Sequence, residues 1–290
     1  MTTRQFGDVT VTTVIELDGP MFIPDVLLPD WNEDDLEANR DWLEPRHYDP
    51  DEGLLVMPVQ SFIIKTPHHT ILIDGCFGNG KALPNERFAH MNTPWLERLA
   101  DAGAAPEDID VVMCTHLHGD HVGWNTRQDN GRWVPTFPNA DYLFTKREWD
   151  YWTNLAEEEK AHRPHITESV LPVIDAGQSK LVDADHAVED GIRLMPLHGH
   201  TPGHVGVTIE TGDNRCVLTG DMIHHPIQCV HPDWSSSFCA DPGKSAETRR
   251  NFLESHAETD WVVAPTHFPT PTFGFVERAG DAFRFRYDEA

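Results

Sequence analysis

The run Thr115-His116-Leu117-His118-Gly119-Asp120-His121-Val122-Gly123 constrains this chain more than any other feature. His116 and His118 are two apart, the spacing of one strand face. His118 and His121 are three apart, the spacing of one helix face. This change of period predicts an extended segment that turns into the start of a helix, with its side chains converging on one point. Neutral imidazole and carboxylate are the donors preferred by a divalent ion such as zinc. An ordinary polar loop has no need of this spacing.

Further ligands are expected at places of the same kind. His116 follows the apolar run Val111-Val112-Met113-Cys114, which reads as a buried strand. Three more apolar runs end in the same way. Ile192 to Leu197 leads to His198-Gly199-His200-Thr201-Pro202-Gly203-His204. Cys216 to Thr219 leads to Gly220-Asp221. Trp261 to Ala264 leads to Pro265-Thr266-His267. The carboxyl ends of strands are where open α/β sheets build their sites.

The series His116-x-His118-x-Asp120-His121, His200, Asp221, His267 resembles the ligand set of the metallo-β-lactamase-fold hydrolases. It is most similar to the dinuclear branch, which includes the N-acyl-homoserine lactonases, glyoxalase II and methyl parathion hydrolase. The resemblance runs from about Val59 to His267. Its motifs are specific for the superfamily and weakly specific for substrate. It implies an α/β fold, a four-layer αββα sandwich of two similar halves with the metal site at the sheet edge. It also implies two divalent metal ions, zinc first, with manganese or iron as alternatives. His116, His118 and His200 would hold one ion, Asp120, His121 and His267 the other, and Asp221 would bridge them. His200 is preferred over its neighbours because the family ligand directly precedes the Thr-Pro-Gly-His turn. His204 is then expected behind the ligands, and His198 either there or in the scaffold. Three residues after the bridging Asp the lactonases carry a Tyr, and this chain has His224. That departure makes His224 a candidate acid or hydrogen-bond donor, with a structural role as the alternative.

Length and composition suit a soluble enzyme. The 290 residues suffice for one large domain, 1–290, with 1–58 as an amino-terminal strand plus a lid or dimerisation arm. No apolar stretch is long enough to span a membrane, and the amino terminus lacks the apolar core of a secretory signal. Cysteines 76, 114, 216, 229 and 239 are odd in number and show no C-x-x-C spacing. They read as reduced thiols in a cytoplasmic protein. The formal charge of −26 repels polyphosphate and argues against nucleic acid. Glu157-Glu158-Glu159 and Asp183 to Asp190 are expected as exposed stretches. The expected partner is a neutral small-molecule substrate, bound by a monomer or homodimer.

Other elements follow from local pattern. Val9 to Val14 alternates as a strand. Val59 to Lys65 and Thr70 to Asp74 read as a hairpin through Thr66-Pro67-His68-His69, which makes both His residues exposed turn positions. Pro94 is expected as the first residue of a helix closed by Gly103. Asp141 to Lys146 reads as a strand, Glu148 to Asn154 as a helix, Val205 to Glu210 and Arg215 to Thr219 as strands about a Gly212-Asp213-Asn214 turn, and Lys244 to His256 as a helix. The proline-broken stretch Pro20 to Trp31 cannot form a regular helix. Phe77, Trp124, Trp234 and Phe268 could wall an apolar pocket, although each alone is more often core.

Two dications, two carboxylates and a bridging hydroxide sum to about +1, a centre that lowers the pKa of bound water to ~7 and favours an oxyanion. Asp120 would orient the hydroxide and take its proton, and His224 or the second metal would stabilise the leaving alkoxide. No Gly-x-Ser-x-Gly elbow is present to supply a serine nucleophile. The expected reaction is hydrolysis of a lactone or related carboxylic ester. An organophosphate triester or aryl ester is the alternative within the class. An iron-dependent redox enzyme of the same fold is the remoter one.

Overall fold

The computed structural model describes residues 1–155 and 162–289, so the acidic run Glu157 to Glu159 lies outside the described residues. The chain divides into two compact units. One comprises Met1–Glu16 and Val59–His186, the other Leu17–Pro58 and Ala187–Ala290. The stretch 1–58, expected as one strand plus an arm, is therefore shared between them.

The first unit is built on a seven-stranded sheet in the order Thr3–Phe6, Val9–Leu17, Val59–Lys65, Thr70–Ile73, Val111–Met113, Asp141–Thr145, Ser179–Val182. Its last four strands run parallel. Parallel strands are covered on both faces and so read as continuous apolar runs, and Val112 and Met113 are fully buried. The expected hairpin pairs Phe62 with Ile73 and Lys65 with Thr70. Thr66 Oγ1 closes its turn by accepting from the backbone N–H groups of His68 and His69, both exposed. Two helix starts differ from expectation. Pro94 takes the N-cap of the helix Trp95–Asp101 rather than its first turn. The helix Lys146–Thr153 begins two residues early because the Thr145 hydroxyl caps it, accepting from Glu148 N–H.

The second unit holds the other seven-stranded sheet, ordered Ala187–Glu189, Ile192–Pro196, Val205–Thr211, Asn214–Leu218, Val262–Ala264, Gly274–Ala279, Ala282–Tyr287. Thr211 pairs with Asn214 across a two-residue turn, and Gly212 supplies the positive φ of 59° that such turns need. The helix Pro242–His256 starts at Asp241, whose carboxylate accepts from Lys244 N–H. Phe252 and Leu253 on this helix pack with Val217, Val263, Phe268 and Phe283. The proline-broken stretch forms the strand Pro20–Phe22, paired with Leu54–Val56, and a single turn of helix at Pro24–Leu27. Among the described residues no helix is long and apolar enough to cross a membrane.

Two aromatics weighed as pocket walls belong to the interior. Trp124 stacks on Trp95 at 5.3 Å and donates its indole N–H to Glu16, and Phe268 is fully buried in the second core.

Candidate metal centre

In the first unit the strand Val111–Met113 ends where the ligand run begins. Asp74 fixes this exit. Its Oδ1 accepts from Thr115 N–H at 2.7 Å, and its Oδ2 lies 2.9 Å from Thr115 Oγ1. His118 is still extended, with φ −69° and ψ 160°, and a helical turn begins at Gly119 and runs to Val122. The change of spacing in the sequence is thus a change of backbone. It brings His116 Nε2 within 3.0 Å of His118 Nδ1 and His121 Nε2 within 3.6 Å of Asp120 Oδ2. His116 and His121 are fully buried, whereas the Asp120 side chain is 24% exposed. The buried carboxylate of Glu148 braces the run by accepting from Leu117 N–H and from the Trp152 indole.

The second unit gathers its own group around Asp221, which is 3% exposed. His267 Nε2 lies 3.1 Å from Asp221 Oδ1. His200 Nε2 lies 3.3 Å and His224 Nε2 3.4 Å from Asp221 Oδ2. Gly199 permits the approach to His200. Its φ is 134°, and a Cβ there would sit 2.3 Å from Ser245 N, so no other residue fits.

The neighbouring histidines sort themselves by their bonds. His204 Nδ1 contacts Leu197 O at 2.9 Å while its Nε2 accepts from Asp221 N–H at 2.9 Å, so it holds the backbone of Asp221. His198 Nδ1 meets His204 O and belongs to the scaffold. His225 binds His47 O through Nε2 and accepts from Ile227 N–H through Nδ1. His224 is buried, and Nδ1 has no hydrogen-bond partner among the described residues. Burial pushes its pKa down, and attraction to Asp221 opposes this in part.

The donor chemistry fits a cation. His267 Nδ1 faces the Pro58 carbonyl at 2.9 Å, and a carbonyl only accepts, so Nδ1 carries the proton. In the neutral ring, Nε2 then turns a lone pair toward a carboxylate oxygen 3.1 Å away. His121 repeats the arrangement. Its Nδ1 meets Asp74 Oδ2 at 2.9 Å and its Nε2 faces Asp120 Oδ2. Acceptors aimed at acceptors are repulsive unless a positive ion lies between them, and ligand imidazoles backed through the second nitrogen are the usual metal arrangement. Each unit therefore presents a metal-type donor group: His116, His118, Asp120 and His121 in one, His200, Asp221 and His267 in the other, with His224 beside Asp221.

Sequence reasoning passed over Asp74, Glu148 and Cys239. Asp74 left a visible signal, since it too is an acidic residue just beyond a strand. Glu148 and Cys239 left none, because their partners lie 31 and 39 residues away.

Residues 54–280 match the metallo-beta-lactamase superfamily. Among curated proteins the chain is 27% identical over 181 residues to the N-acyl homoserine lactonase of Bacillus cereus, covering 57% of this chain and 64% of that protein. It is 29% identical over 105 residues to the N-acyl homoserine lactonase AiiB of Agrobacterium fabrum, covering 32% and 37%. The chain thus spans less than two thirds of these relatives' length. Among solved structures, the hydrolase AbOPH of the beta lactamase superfamily superposes with a TM-score of 0.80 at 25% identity, covering 99% of this chain and 98% of that one. The dizinc quorum-quenching lactonase AidC superposes with a TM-score of 0.82 at 23% identity, covering 100% and 97%. With the family match extending over most of its length and strand-end donors in both units, the chain belongs to the metallo-beta-lactamase superfamily and has its fold.

Proposed function

We propose that the two donor groups together hold two divalent metal ions and that the protein is a metal-dependent hydrolase opening a lactone or a related carboxylic ester. The observation that carries this reading is the facing of acceptors, His267 Nε2 on Asp221 Oδ1 and His121 Nε2 on Asp120 Oδ2. Family membership and the lactonase names of the curated relatives support it. His116, His118 and His200 would hold one ion, Asp120, His121 and His267 the other, and Asp221 both. Zinc suits this imidazole-rich set, with manganese and iron as alternatives.

Bound metal ions of this kind polarise a carbonyl oxygen and bring the pKa of a water toward neutrality. The side chains have distinct tasks around that chemistry. Asp221 is buried and held through its backbone by His204, so it stays fixed. Asp120 is the more open carboxylate, and its Oδ2 accepts the proton of the attacking water. His224 stands where lactonases place a Tyr and donates a ring N–H to the leaving oxygen. An acidic surface of formal charge −26 favours a neutral substrate over an anionic one.

The test is reconstitution with zinc, elemental analysis, and a pH-indicator screen against lactones, aryl esters and phosphotriesters. Two metals per chain with lactone opening are expected. One metal or none overturns the dinuclear centre. Two metals without turnover of any lactone or carboxylic ester overturn the substrate class.

A further inference from the structure

We propose that Cys239 is a positioning residue for His200, its thiol standing behind the ring nitrogen Nδ1 at long range; this rests on the metal reading above. Behind three other imidazoles of the proposed centre stand oxygens at shorter range. Asp74 Oδ2 lies 2.9 Å from His121 Nδ1, Pro58 O lies 2.9 Å from His267 Nδ1, and Thr115 Oγ1 lies 3.2 Å from His116 Nδ1. Behind His200 Nδ1 stands Cys239 Sγ, at 3.5 Å. Sulfur is a weak acceptor and makes a long bond.

The thiol is placed by backbone. Ala240 N–H donates to His200 O at 2.7 Å and Asp241 N–H to Gly199 O at 3.0 Å, so residues 239–241 run beside the ligand. Cys239 Sγ–H donates onward to Ser245 Oγ at 3.4 Å, which also accepts from Arg249 Nη1 at 3.4 Å. Arg249 is fully buried and donates to Met222 O, next to Asp221, and to Trp234 O. A relay therefore runs from one ligand, through Cys239 and Ser245, to a guanidinium that braces the turn of another.

Groups behind metal ligands are worth roughly ten- to a hundred-fold in metal affinity. The experiment loads the full chain with zinc and measures metal release to a chromophoric chelator. Cys239→Ala should release metal up to roughly ten-fold faster than wild type, the lower end of that range, because a thiol is a weak partner. Cys239→Ser keeps a donor and acceptor and should stay close to wild type. Thermal unfolding of the metal-free proteins is the structural control and should leave Cys239→Ala close to wild type. Equal release by Cys239→Ala and wild type overturns the proposal, as does equal release by the Ala and Ser variants. Should Cys239→Ala fail to fold, Cys239→Val reads the same quantity. Wild type that takes up no zinc overturns the metal reading and this proposal together; wild type that loads and fails only the variant comparison overturns the proposal alone.

Discussion

At the residue scale the site divides its carboxylates by burial. Asp221 is enclosed among His200, His224 and His267, whereas Asp120 stands partly open. The two should therefore fail differently. Asp120→Asn is nearly isosteric and should retain metal while losing most of the turnover, since an amide takes no proton from water. Asp221→Ala removes an oxygen pair and should lower metal occupancy. Elemental analysis beside turnover separates the two, and an Asp120→Asn enzyme with full metal and wild-type rate would remove Asp120 from the chemistry. His224→Phe preserves ring shape and removes the ring N–H. Turnover should fall roughly ten- to a thousand-fold, the span of general acids and oxyanion donors, with metal content unchanged. Equal turnover would leave His224 as a packing residue.

At the element scale, short strands deliver the candidate ligands and remote groups hold the loops. Lys81 shows how such a hold depends on pH. Lys81 is 1% exposed, and its amine donates to Thr126 Oγ1 at 2.6 Å and to Glu168 O at 3.3 Å and lies 3.5 Å from the centre of the Trp133 ring. It ties the loop after Thr70–Ile73 to the strand Thr126–Asp129 and to the wide helical turn Ile166–Val170. Burial lowers its pKa from 10.5 to about 7. Between those values the unfolded chain binds a proton that the folded chain does not, so this group makes stability rise with pH across that window. Urea denaturation at pH 7 and pH 10 should show wild type gaining on Lys81→Met as pH rises. A constant difference between the two would mean that Lys81 stays charged when folded. The strands were legible because a buried parallel strand needs an unbroken apolar run, as Val111 to Met113 shows. The helix starts were less so, because Thr145 and Asp241 act through side-chain caps that local pattern marks only loosely.

At the scale of the whole molecule the excess of acid dominates. A formal charge of −26 on 290 residues repels itself more in the compact chain than in the unfolded one. Screening shortens the range of that repulsion to about 8 Å at physiological ionic strength. The melting temperature should therefore rise between low salt and half-molar sodium chloride; a flat or falling curve would show that local ion pairs outweigh the net charge.

The sequence by itself determined the run of imidazoles and carboxylate from His116 to His121 and the strand ends that carry it, and the motifs by which the chain resembles the superfamily it belongs to. These are local: spacing of two or three residues fixes which side chains share a face, and apolar runs fix where strands stop. Tertiary structure alone decided what stands behind the proposed ligands His121, His200 and His267. Asp74 reaches His121 across 47 residues, Cys239 reaches His200 across 39, and His267 Nδ1 meets Pro58 O across 209. Such partners follow no spacing rule, because folding, not periodicity, brings them to the ring nitrogen. They set which nitrogen bears the proton, and so which one is left to bind a metal.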